Sequence, residues 1–140
     1  MSSTSTGLSP VSDTNAAAVV SRLVHAWYRQ RAGDILPRRF EAGLARVTIP
    51  RNARPSLRIR QMKLRWGSCT SRGTITLNPF VVQAPTSCID YVIAHELTHV
   101  LVPNHSRRFE AHLDRLVPGW RERRQKLQSF SLLERESAPT

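Results

Sequence analysis

His95-Glu96-Leu97-Thr98-His99-Val100-Leu101-Val102-Pro103-Asn104-His105 holds three of the chain's five histidines within eleven residues. The first five residues form the pattern HExxH. On a helix, four residues turn the chain by about 400°, so His95 and His99 project about 40° apart and about 6 Å along the axis. Two imidazoles so placed can grip one divalent metal from one side, and imidazole ligands favour zinc. Glu96 points about 100° away from His95. It is badly placed to be a ligand but can reach a water on the metal, which makes it the candidate general base. A catalytic zinc has three protein ligands and an open position. His105 is the third candidate, because Pro103 ends the helix and lets the chain fold back.

The residues around the motif support the helix. Ile89, Val92, Ile93, Ala94, Leu97, Val100 and Leu101 make it otherwise apolar. Two histidines and a glutamate in such a helix need compensation for their polar groups, and a metal supplies it. Pro85 precedes the helix, Ser87 with Asp90 three residues on resembles a capping box, and the helix is expected to run to Leu101. Downstream, Asn104 and Ser106 are candidate caps for a helix carrying Phe109, Leu113 and Leu116. Pro118-Gly119 breaks it, and an Arg-rich helix over 120–133 follows.

Upstream, Asp13 can cap a helix over 14–32 whose apolar positions include Ala16, Val20, Leu23, Val24 and Trp27. Gly33-Asp34 is expected to end it, and Pro37 to open a shorter helix through Phe40 and Leu44. After a loop over 50–55 the period becomes two. Leu57, Ile59 and Gln61 alternate with Arg58 and Arg60, then Thr74-Ile75-Thr76-Leu77 alternates after a turn at Ser71-Arg72-Gly73. Two short strands around that turn suggest a hairpin, and Pro79 makes the second one stop or lie at an edge. Residues 1–13 read as a disordered Ser/Thr-rich tail, 14–134 as a single domain and 135–140 as a short C-terminal tail.

Composition bounds the function. The chain has 140 residues, 40% of them hydrophobic, which suits one domain with one core. No apolar run approaches the ~18 residues of a membrane span, and no basic stretch leads into an apolar signal region. Cys69 and Cys88 are too few for a disulfide framework or a cysteine zinc site. A reducing compartment, the cytoplasm, is the expectation. Lys and Arg total 21 against 10 Asp and Glu, a net charge of +11. From Arg22 to Arg72 there are 13 basic residues and only Asp34 and Glu41 as acids. Either this is a solvated basic surface, or the Arg-rich surface meets a polyanion such as DNA.

HELTHVLVPNHSRRF (95–109), preceded by MKLRWGSCTSRGTITLN (62–78), resembles the YgjP-like metallopeptidases, which group with the SprT-like and Wss/WLM-type zincins. The likeness covers residues 20–128 and is most specific in the second half. It implies an α+β, zincin-like fold: a small, mostly antiparallel sheet packed on the HExxH helix, with flanking helices. It implies one zinc per chain on His95, His99 and His105, with Glu96 as catalytic base. It also suggests Thr74–Asn78 as an edge strand for a peptide backbone, with Thr74, Thr76 and Asn78 as substrate contacts. Asn78-Pro79 and Phe109-Glu110 stand where the family often has Asn-Trp and Phe-Trp, and a Ser/Thr tail replaces an N-terminal β-rich region. Val102 occupies the glycine position of the metzincin turn.

The expected function is a zinc-dependent metallopeptidase that hydrolyses peptide bonds of a peptide or protein substrate by a zinc-activated water. A DNA-associated protease acting on DNA-bound or crosslinked proteins is a second reading, from the charge and the SprT- and Wss-type likeness. A non-catalytic, zinc-stabilised nucleic-acid-binding module is a third. The third lacks a fourth ligand at a plausible spacing and leaves Glu96 without a role.

Overall fold

The HExxH segment forms the centre of the molecule. In the computed structural model, which describes residues 10–130 and side chains from residue 15, the order is α1 (Pro10–Leu44), β1 (Ser56–Ile59), β2 (Gly67–Cys69), β3 (Thr74–Leu77), α2 (Thr86–Leu101), α3 (Arg107–Leu116) and α4 (Trp120–Gln128). Short 3-10 helices at Arg51–Ala53 and Pro79–Gln83 connect them. The expected tails lie outside the described residues at 1–9 and 135–140. Residues 10–13, read from sequence as tail, begin α1.

α1 is one continuous helix where two were expected, with Pro37 inside it. An interior proline costs about 3 kcal/mol. Burial of Leu36 and Phe40 on the same stretch offsets it, at about 1.5–3 kcal/mol for each side chain. The buried residues of α1, Ala32, Leu36 and Phe40, lie in this second half, while His25 and Tyr28 pack on Phe80. The apolar positions of the first half, Val20, Leu23 and Trp27, are exposed. The helical period there is met, but these positions are not covered by any of the described residues.

The sheet has the order β1-β3-β2. The expected hairpin of the 57–61 and 74–77 strands does not form; β2, not read as a strand in the sequence, makes the hairpin with β3 instead, antiparallel with Ser68 opposite Thr76. Its turn is closed by Gly73 N–H donating to the Thr70 carbonyl at 3.0 Å, with Gly73 at φ +86°. Glycine reaches that left-handed conformation without strain. β1 pairs parallel to β3, Leu57 beside Ile75. The sheet is therefore mixed, not mostly antiparallel: residues 60–73 carry the chain across, so β3 enters between β1 and β2. β3 ends at Leu77, and Pro79 starts the 3-10 helix. Ile75 and Leu77 are fully buried.

α2 packs against every neighbouring layer and buries Ile89, Val92, Ile93 and Leu97 along its length. It starts at Thr86 with no side-chain cap. Asp90, read from sequence as a capping-box partner of Ser87, accepts both arms of the Arg39 guanidinium instead, at 2.8 and 2.7 Å. That fork ties α1 to α2. α2 ends at Leu101, ahead of Pro103. Of the two candidate caps for α3, Ser106 is the one used: its hydroxyl accepts from Phe109 N–H. α4 ends at Gln128, five residues short of the expected helix end. No helix among the described residues is long and apolar enough to cross a membrane.

Candidate active site

The i,i+4 spacing of His95 and His99 puts both rings on one side of α2, with centroids 4.8 Å apart. After Pro103 the chain returns His105 to them, with centroids 5.4 Å from His95 and 4.5 Å from His99. One donor atom from each of the three lies within 4.8 Å of the others. Phe109, on the first turn of α3, is the common platform: its ring is 5.2, 4.7 and 4.7 Å from the rings of His95, His99 and His105. In the sequence Phe109 is marked only as an apolar position of its helix.

Hydrogen bonds orient the rings. His99 Nδ1 lies 3.2 Å from the Pro103 carbonyl oxygen, which accepts its proton and leaves Nε2 as the lone-pair donor. Burial holds His99 below the ordinary imidazole pKa, with the cationic forms of His95 and His105 acting the same way and Glu96 opposing. The neutral ring is the metal-binding form. His95 Nδ1 is 3.0 Å from Glu96 Oε2. Glu96 is 5% exposed, so its carboxylate sits inside the site and not on the surface. This donor set, three neutral-capable imidazoles beside one acid, fits a catalytic divalent metal with an open position.

The cleft over the triad has a volume of about 680 Å³. One wall is His95, Glu96, His99 and His105; the other is β2 and its turn, from Gly67 to Ser71. Gly67 makes that closeness possible. A Cβ there would stand 2.9 Å from Val92 Cγ1 and 3.2 Å from Glu96 Cγ. A glycine inside a strand is the sequence signal for such a close approach. Cys69, on the same strand, faces the cleft as a free thiol. Burial, and then the Glu96 charge, push its pKa up.

The proposed substrate contacts are not in this cleft. β3 is the central strand, paired on both sides, so Thr74 and Thr76 cannot offer a free edge. Asn78 is fully buried. Its amide donates to the carbonyls of Met62 and Arg65 at 2.8 and 3.0 Å, and its oxygen accepts from Phe80 N–H. It pins the segment that leads into β2. The outer strands are β1 and β2, and β2 is the one that lines the cleft.

Trp66 packs against the core. Tyr91 is buried, 5.9 Å from the His95 ring, and stacks on Trp120. His25 packs on Phe80. His112 does not line the cleft; it faces a separate cavity with Arg46, Arg108 and Arg115.

A buried carboxylate and two histidines on α2, with His105 returned to them from the following loop, form a cluster that could hold a metal ion beneath a sheet edge. The chain belongs to the YgjP-like family: that family's metallopeptidase domain matches residues 2–130. The fold is similar to the crystal structure of the metallopeptidase zymogen abylysin from Pyrococcus abyssi, with a TM-score of 0.52 and 24% identity over 75% of this chain and 92% of that one. No curated protein matches the chain.

Proposed function

We propose that this metallopeptidase is zinc-dependent and uses Glu96 as its general base. The observation that carries the reading is the joint placement of three imidazole donors within 4.8 Å of one another and a buried carboxylate against the first of them. His95, His99 and His105 would hold one zinc per chain. The three-donor cluster leaves a coordination position open, which favours catalysis over a purely structural site. Zinc, when bound, supplies Lewis-acid polarisation of a water and of the scissile carbonyl.

The chain's own residues do the rest. An extended substrate backbone adds to the free edge of β2, with Ser68 and Cys69 offering their main chain. This binds by backbone and selects little by side chain. The wall opposite, α2, then lies under the scissile bond. Glu96 takes a proton from the attacking water and returns it to the leaving amine nitrogen. Its burial keeps the transfer out of bulk solvent. His99 stays oriented through Pro103. Free Cys69 and Cys88 suit a reducing compartment, and we place the enzyme in the cytoplasm.

Glu96→Gln tests the reading. The variant should keep one zinc per chain and lose hydrolysis of an unfolded protein substrate by about 10²-fold or more. Full activity in that variant would contradict it.

A further inference from the structure

On α3, Arg108, His112 and Arg115 are spaced i, i+4 and i+7, so they share one face within about 60°. That face is turned away from the active-site cleft. With Arg46 it lines a second cavity of about 300 Å³, whose floor is Val47, Leu101 and Leu116. Arg46 is fixed there: its guanidinium donates to the Leu116 carbonyl at the end of α3.

No carboxylate lines this cavity. The acids of α3, Glu110 and Asp114, lie on its other side and pair with Arg121. Among the described residues, neither Arg108 nor Arg115 has an acidic partner. The contrast with α4 is informative. Its Arg-rich run is the more conspicuous one in the sequence, yet Arg121 is neutralised by those acids and Arg124 lies over the Trp120 ring. What sets Arg108 and Arg115 apart is that they line one cavity together with Arg46 and His112.

Guanidinium forks match the oxygens of a phosphate, and several of them around one concavity form a phosphate site. The row from Arg108 to Arg115 runs about 10 Å along the helix. The chain's +11 charge adds long-range attraction for such a polyanion. We propose that this cavity receives the phosphates of a nucleic-acid strand. The cavity and the active-site cleft share no lining residue, so the strand would bind apart from the metal triad. The proposal stands apart from the peptidase mechanism, because binding is read without turnover.

The test is fluorescence anisotropy of the full chain with a labelled single-stranded DNA 20-mer, across a salt series. The double variant Arg108→Glu with Arg115→Glu is compared with Arg51→Glu with Arg60→Glu, which changes net charge equally at exposed sites that do not line the cavity. The cavity pair should weaken binding by about tenfold or more and flatten the log–log salt slope by about 1.4, two contacts' worth. The control pair should leave the slope unchanged. Equal losses in both pairs, or none in the cavity pair, overturn the proposal. So does displacement of the 20-mer by inorganic phosphate at concentrations too low for its ionic strength to explain, which would mark a small-anion site. If the glutamate pair does not fold, as read by thermal unfolding, Arg108→Gln with Arg115→Gln takes its place, with the same outcomes.

Discussion

Gly67 and Glu96 are in contact across the cleft: a Cβ built on Gly67 would stand 3.2 Å from Glu96 Cγ and 3.3 Å from its Oε2. The edge strand can therefore approach the acid only where the strand has no side chain. Gly67→Ala must push β2 away from α2 or turn Glu96. Overpacking of this kind costs about 1–3 kcal/mol. The effect on catalysis should be larger, because small displacements at a reacting centre cost about 10²-fold. Measured kcat/KM on a peptide substrate should fall by about that factor while thermal unfolding shifts only modestly. An alanine variant with unchanged kcat/KM would show that the contact does not matter.

Phe109 supports all three imidazoles at once. Phe109→Ala should destabilise the fold by about 3–5 kcal/mol, as for other buried aromatics. Phe109→Leu keeps most of the volume but loses the flat surface. It should fold and bind zinc about tenfold more weakly, in the range seen when groups supporting metal ligands are altered. Competition with a chromogenic chelator reads this. Wild-type zinc affinity in Phe109→Leu would remove Phe109 from the account of the site.

How much of this was legible follows from the range of each interaction. The histidine cluster could be read because His95, Glu96 and His99 lie within five residues on one helix, and Pro103 announces the return of His105. Strand order could not. β1, β2 and β3 are three or four residues each, and nothing in Thr74–Leu77 tells a central strand from an edge. The partner across residues 60–73 decides that. Asn78 was conspicuous for the same chemistry that buries it, an amide able to satisfy three backbone groups. Pro37 and Gly33-Asp34 are local breaking signals overridden by the burial of Leu36 and Phe40. Asp90 has two local uses in principle, and a guanidinium from 51 residues away took it.

Asn78 thus becomes a stability residue. Asn78→Ala leaves the Met62 and Arg65 carbonyls and the Phe80 N–H without their partner. Each buried unsatisfied group costs about 1–3 kcal/mol. A loss of about 2–4 kcal/mol in urea unfolding is expected, with activity per folded molecule reduced through β2. A loss below about 0.5 kcal/mol would be a surface-residue result and would contradict the pinning role.

The Cys69 thiol gives a pH-dependent readout of the cleft. Its pKa lies above the ordinary thiol value, first through burial and then through the Glu96 carboxylate. Only the thiolate is alkylated. At pH 8 Cys69 should therefore react with iodoacetamide more slowly than a free thiol, and its rate should keep rising at pH values where a free thiol has levelled off. Glu96→Gln removes the negative charge and should bring that rise to lower pH. A Cys69 faster than a free thiol at pH 8 would contradict the placement beside Glu96.

The most direct measurement is the zinc content of the purified chain beside that of His99→Ala, taken with circular dichroism of both. The account predicts one zinc per wild-type chain and loss of tightly bound zinc in a variant that remains folded. A folded wild-type chain that takes up no zinc when it is offered, or a variant that keeps its zinc, would contradict the assignment of His95, His99 and His105 as the metal site.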